Sequence, residues 1–157
     1  MRHLLATSLL ACACVLVLAG CGGGSEDDSS ALQSGIYTYE LTTEYLVENG
    51  ISAEQASNES GKHQAILRDD GAFTDSWTTA SGSTGSCSGT YEEGDENRAT
   101  FRWTAGCFGD WEMSYAVDGD VVTWSDQQAL PPNNSDEDQM ITEVFNSVPW
   151  TRVGDVS

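Results

Sequence analysis

Beyond its N-terminal segment the sequence predicts an all-β fold. The expected architecture is an eight-stranded antiparallel up-and-down barrel, with a short helix pair after the first strand and one helix before the last. Three observations carry this expectation. Alternating apolar and polar stretches recur eight times between residues 36 and 153. Nearly every joint between them has its own turn chemistry, as at Asp69-Asp70-Gly71 and Asp118-Gly119. Short hairpins place consecutive strands side by side, and closing such a sheet removes both exposed edges. A sandwich of the same hairpins is the alternative.

The expected strands run in order. Residues 36–42 alternate Tyr37, Tyr39 and Leu41 with Ile36, Thr38 and Glu40. Thr43 can cap a short helix through Tyr45 and Leu46 that ends at Asn49-Gly50, and Ser52-Ala53-Glu54-Gln55 reads as a capping box opening a second. Strands 62–68 and 72–78 flank Asp69-Asp70-Gly71, and strands 88–92 and 98–104 flank residues 93–97. Strand 111–117 turns at Asp118-Gly119 into strand 121–126. Ser135 to Asp138 opens a helix whose Met140, Ile141, Val144 and Phe145 share one apolar face, with acidic residues in the first turn where the macrodipole favours them. A short strand over 149–153 closes the set. Residues 79–86 and 127–134 read as loops, being rich in Gly/Ser and Pro/Asn. No internal repeat is evident.

Composition narrows the function classes. The chain has 157 residues and a net charge of −19. A positive start, Met1-Arg2-His3, precedes an apolar stretch from Leu4 to Ala19 that is too short for a stable transmembrane helix and reads as an export signal over residues 1–20. Arg2 is its one charged residue, so the remaining 137 residues carry −20. That charge repels phosphate backbones and argues against nucleic acid as a partner. Residues 21–34 form a Gly/Ser/acid-rich tether with no apolar period. Beyond Cys21 its thirteen residues reach roughly 20 Å, at about 6 Å × √n. The barrel domain spans 35–154. Once Cys12 and Cys14 leave with the signal and Cys21 is set aside, Cys87 and Cys107 remain, and in an exported chain that pair predicts a disulfide.

Leu18-Ala19-Gly20-Cys21 resembles the lipobox of bacterial lipoproteins residue for residue. The resemblance implies diacylglyceryl transfer to the Cys21 sulfur and cleavage between Gly20 and Cys21. The domain would then be held on a bacterial membrane, cell or outer, through that lipid. Gly35-Ile36-Tyr37, the Gly-Thr-Tyr and Val-Asp-Gly-Asp hairpins and the closing Pro-Trp-Thr-Arg-Val resemble small exported lipocalin-like barrels over roughly Gly35 to Val153. The helix pair is similar to the lid of fatty-acid-binding proteins. This resemblance implies that Arg152 stacks near the first-strand aromatic.

The search for reactive chemistry yields little. One histidine, His63, follows the signal, and no Gly-x-Ser-x-Gly elbow precedes a helix. Gly85-Ser86-Cys87-Ser88-Gly89 mimics an elbow, but an oxidised Cys87 offers no nucleophile. One histidine and two paired cysteines leave no zinc or copper set, and no glycine loop cradles phosphate, so no catalytic residue, metal or cofactor is assigned. Asp69-Asp70-Gly71 and Asp118-Gly119-Asp120 are explained by hairpin turns rather than calcium.

The more apolar face of each strand gathers Tyr37, Tyr39, Leu41, Phe73, Trp77, Tyr91, Phe101, Trp103, Trp111, Met113, Tyr115, Val122 and Trp124. Asp75 falls between Phe73 and Trp77 on that face; a bulge turning it outward, or a strand-end place in water, is the plainer expectation. His63 is expected at the rim or surface. The lead expectation is a non-catalytic binding module for a small, partly apolar ligand or a partner protein. Its contact residues would be Tyr45 and Leu46 from the first lid helix, with Asp75, Trp77, Tyr91, Trp103, Trp111 and Trp124 from the barrel. Trp150, on the closing strand, is expected to pack structurally. A filled, purely structural barrel is the alternative, and a barrel enzyme using an inward carboxylate is the third reading.

Overall fold

The computed structural model describes residues 31–107 and 109–156. The signal segment, Cys21 and the tether as far as residue 30 lie outside them. The described chain is a closed eight-stranded barrel in which each strand pairs with its sequence neighbours and the last pairs with the first. The order is β1 (Gly35–Leu41), α1 (Thr43–Glu48), α2 (Ala53–Glu59), β2 (Gly61–Leu67), β3 (Ala72–Thr79), β4 (Thr84–Glu93), β5 (Arg98–Ala105), β6 (Asp110–Asp118), β7 (Val121–Leu130), α3 (Asp136–Asn146) and β8 (Trp150–Gly154). All pairings are antiparallel. Among the described residues no helix is long and apolar enough to cross a membrane.

Strict up-and-down order gives the barrel two unlike ends. The tight turns β2–β3, β4–β5 and β6–β7 lie at one end together with both termini of the barrel. At the first of these, Gly71 takes φ 77° and its N–H donates to the Arg68 carbonyl at 2.9 Å. Residues 31–34, read as the end of the tether, pack against this end instead. Leu32 is buried, and its N–H donates to the Glu93 carboxylate at 3.3 Å, which also accepts from the Tyr115 hydroxyl at 2.8 Å. Arg152 lies across from Tyr37 and donates to the Ser34 carbonyl at 3.1 Å. The other end carries α1 and α2, the 80–83 turn, the 106–109 loop and α3.

The core follows the two periods of the sequence. Inward strand residues form one cluster centred on Tyr37, Leu67, Phe73, Phe101, Met113, Val122, Trp124 and Trp150. A second cluster joins Leu41 to Leu46, Ile51, Ala56 and Val144, with Met140, Ile141 and Phe145 packed on it. This second cluster seats the three helices on the barrel as a cap. Ser135 and Asp138 close a full capping box at the start of α3.

Several local expectations shift. Thr42, not Thr43, caps α1, accepting from the Tyr45 N–H at 3.1 Å, while the Thr43 hydroxyl meets that of Ser60 at 2.8 Å. The β6–β7 turn is Gly119-Asp120, because Asp118 still pairs with Val121. Half of 79–86 is strand rather than loop, with Thr78 paired to Thr84 and Trp77 to Gly85 around a turn at 80–83. A Cβ on Gly85 would meet Trp77 Cζ2 at 2.2 Å, so the glycine makes room for the indole across the ladder. Likewise β7 extends to Leu130 after Asp126 takes φ 49° at a break in register, which returns Ala129 to the buried face.

Candidate functional site

The barrel is packed at its turn end and hollow at its capped end. There a cavity of about 430 Å³ opens beneath α2 and α3. At about 30 Å³ each this space would take on the order of fourteen waters, and it lies within the ~300–1,000 Å³ of small-molecule pockets. Its strand wall is aromatic: Tyr39, Phe73, Trp77, Trp103, Trp111 and Trp150. The helices contribute Gln55 and Glu59 from α2, and Asp138, Ile141, Thr142, Phe145 and Asn146 from α3. Gly106, Cys107 and Gly109 border it from the β5–β6 loop.

The rings form two continuous surfaces. On one side Trp150, Tyr39, His63 and Trp77 stack in sequence, with centroids 5.2, 4.6 and 5.6 Å apart and planes within 22° of parallel. On the other, Phe73 lies 4.7 Å from Trp103, whose ring meets Trp111 edge-on at 5.0 Å. Register builds the first surface, since β1 sets Tyr39 opposite His63 and β2 sets His63 opposite Trp77.

A polar group interrupts the aromatic wall. Asp75 is 8% exposed and points inward; no bulge turns it out, because β2 and β3 stay in register from Gly61 to Leu67. Its Oδ2 accepts from the Tyr39 hydroxyl at 2.8 Å and lies 3.3 Å from His63 Nδ1. His63 is 4% exposed rather than a rim or surface residue, and its Nε2 meets the Glu59 carbonyl at 3.1 Å. Both imidazole nitrogens therefore face oxygen acceptors. The two contacts are satisfied together when the ring is doubly protonated, or when the Asp75 carboxyl carries the shared proton. Burial, with the adjacent Asp75 charge, holds the Tyr39 phenol well above its ordinary range, so it acts as a neutral donor. Burial also raises the Glu59 carboxyl, opposed by His63 and reinforced by Asp75.

Three buried polar atoms on lining residues have no partner among the described residues: Asp75 Oδ1 and the indole nitrogens of Trp111 and Trp150. Such atoms are costly when left bare.

Of the sequence-expected contact residues, Asp75, Trp77, Trp103 and Trp111 come together on the cavity wall. Tyr45, Leu46, Tyr91 and Trp124 do not line it. Leu46 is fully buried in the cap cluster, and the Tyr45 hydroxyl donates to the Val144 carbonyl at 2.9 Å, because α1 packs against α3 rather than over the opening. Tyr91 lies toward the turn end, donating to the Arg68 carbonyl at 3.0 Å. Trp124 packs edge-on to Trp150 at 4.9 Å, deeper in the core. Trp150, expected only to pack, both anchors the core and lines the cavity. His63, Tyr39 and the α3 residues are additions; parity with Ala65 and Leu67 along β2 is the signal that places His63 inside. Cys87 and Cys107 form the expected disulfide, Cα to Cα 5.4 Å. Among the described residues no group of three His, Cys, Asp or Glu could hold a metal ion.

Fold and cavity together make this a capped antiparallel barrel with an aromatic-walled cavity at its capped end, bearing a carboxylate–imidazole pair. No protein-family model, curated protein or solved structure matches the chain.

Proposed function

We propose that this protein is a lipid-anchored extracytoplasmic binding module whose barrel takes up a small, partly apolar ligand beneath α2 and α3. The observation that carries the reading is the cavity of about 430 Å³ with aromatic walls and unpartnered polar atoms, where a filled structural barrel would have packed side chains. A guest burying about 200 Å² of apolar surface gains about 5 kcal/mol at ~25 cal/mol per Å², before ordering costs. Anchoring rests on Leu18-Ala19-Gly20-Cys21. Gly35 enters at the turn end, so a lipid on Cys21 would leave the cavity at the far end of the barrel from the anchor.

The test is tryptophan emission during titration with a neutral aromatic alcohol such as 4-phenylbutanol. Trp103→Ala should weaken binding about ten-fold, for roughly 60 Å² of lost contact at ~25 cal/mol per Å². Trp124→Ala, off the cavity wall, should change affinity less. Equal effects from the two variants, or no emission response, would refute the reading. For the anchor, Cys21→Ser should release the protein from membranes, and continued retention after washing would contradict it.

One observation favours a second reading. The buried pair of His63 and Asp75 beside Tyr39 is an arrangement able to move a proton at a bound molecule. That reading expects turnover of a bound compound that His63→Asn abolishes with little change in affinity.

A further inference from the structure

The charge of the cavity is one-sided. Among the described residues its lining includes the carboxylates of Glu59, Asp75 and Asp138 but no lysine or arginine, and His63 is the one basic group there. Even with His63 protonated the formal balance stays negative when the carboxylates are ionised. Asp138 adds to that balance at the rim: its hydrogen bonds with Ser135 hold its carboxyl below the usual range. Deeper in, Asp75 spends one oxygen on Tyr39 and His63, and its other oxygen, buried on the cavity wall, has no partner among the described residues.

Around this carboxylate the cavity wall is aromatic. Tyr39 and Trp77 sandwich His63, and Phe73, Trp103 and Trp111 face the same space. Where a ring face is open to a guest, its quadrupole attracts a cation. An anion would meet these carboxylates with His63, already facing Asp75 and the Glu59 carbonyl, as the one basic group among the described lining residues. A neutral apolar guest would leave the Asp75 oxygen bare. A net charge of −19 further concentrates cations around the chain. No described group of three ligating side chains could hold a metal ion, so the complement is an organic cation rather than a bare one.

We infer that the cavity selects organic ammonium compounds, with the cationic head donating to Asp75 and an apolar body lying against the indole walls. This rests on the binding function proposed above and specifies its ligand class. The cation must be small enough for a chamber of about 430 Å³ and must carry an N–H for the strongest contact.

The experiment compares three probes of one size on the purified full-length protein: 4-phenylbutylammonium, 4-phenylbutanol and 4-phenylbutanoate. The ammonium should bind at least ten-fold more tightly than the alcohol, and the carboxylate more weakly than either. Asp75→Asn and Glu59→Gln, singly and then together, should bring the ammonium-to-alcohol ratio toward one. Glu59→Gln serves as the independent variant should Asp75→Asn disturb the fold. Equal binding of ammonium and alcohol would overturn the charge selection and leave the binding function standing. Binding of none of the three would overturn both.

Discussion

Opening the Cys87–Cys107 bridge gives a stability change whose size follows from chain length. The two cysteines are 20 residues apart, so in the chain-entropy picture the bridge removes about 11 cal/mol/K from the unfolded chain, or about 3.3 kcal/mol at 25 °C. For a domain of about 120 residues the unfolding entropy near the midpoint is about 250 cal/mol/K, so loss of the bridge should lower Tm by about 13 °C. The perturbation is Cys87→Ala with Cys107→Ala in a soluble form beginning at Ser25, compared by calorimetry with the oxidised parent. The β4–β5 ladder has its own pairs beside the bridge, Ser88 with Ala105 and Gly89 with Trp103, so it should persist without it. The effect should therefore act mainly through the unfolded chain, with little change in the far-ultraviolet spectrum. A Tm change under about 4 °C, or native labelling of both thiols in the parent, would refute the reasoning.

Two further outcomes follow from the packing. Burial holds Tyr39 well above its ordinary value, pushes Tyr91 up to about 12, and also raises Tyr37 and Tyr115. Unfolded tyrosines lose their protons near pH 10, so above that the folded state binds more protons than the unfolded one. Stability should thus be unaffected by these groups below about pH 9 and fall as pH climbs through about 10 toward the raised values. Tyr91→Phe should flatten the fall, and an unchanged Tm from about pH 9 to 11 would contradict the burial account. Gly85→Ala would set its Cβ 2.2 Å from the Trp77 ring, forcing the indole to move at a cost of about 1–3 kcal/mol. Denaturant unfolding should register that loss, and parent-like stability would mean the glycine is not needed there.

The strands were legible because alternation and turn chemistry are local properties. Asp69-Asp70-Gly71 is enough to lay β2 on β3, and Trp111 to Tyr115 shows its buried face without any partner. The disulfide was legible from the removal of the other cysteines. Capping the right end was harder. Which helices roof the cavity depends on α3 meeting α1 and α2 far along the chain, as in the Tyr45–Val144 contact across 99 residues, and no local pattern encodes that choice. Serine and glycine around residues 80–86 have weak strand preference, and only the Trp77 ring opposite Gly85 explains their pairing. His63 sits between Lys62 and Gln64 in a polar stretch, so composition pointed outward. Its parity with Ala65 and Leu67 pointed inward, and parity won because those residues fill the barrel.

If the capped chamber takes up a ligand, the five indole N–H signals of the protein should report on it one tryptophan at a time. In a heteronuclear NMR titration with 4-phenylbutylammonium, the signals of Trp77, Trp103, Trp111 and Trp150, all on the cavity wall, should move together and saturate. Trp124, packed behind Trp150, should move least. The unpartnered indoles of Trp111 and Trp150 should shift most if the guest or its waters supply an acceptor. No saturable shift, or a response led by Trp124, would contradict the account.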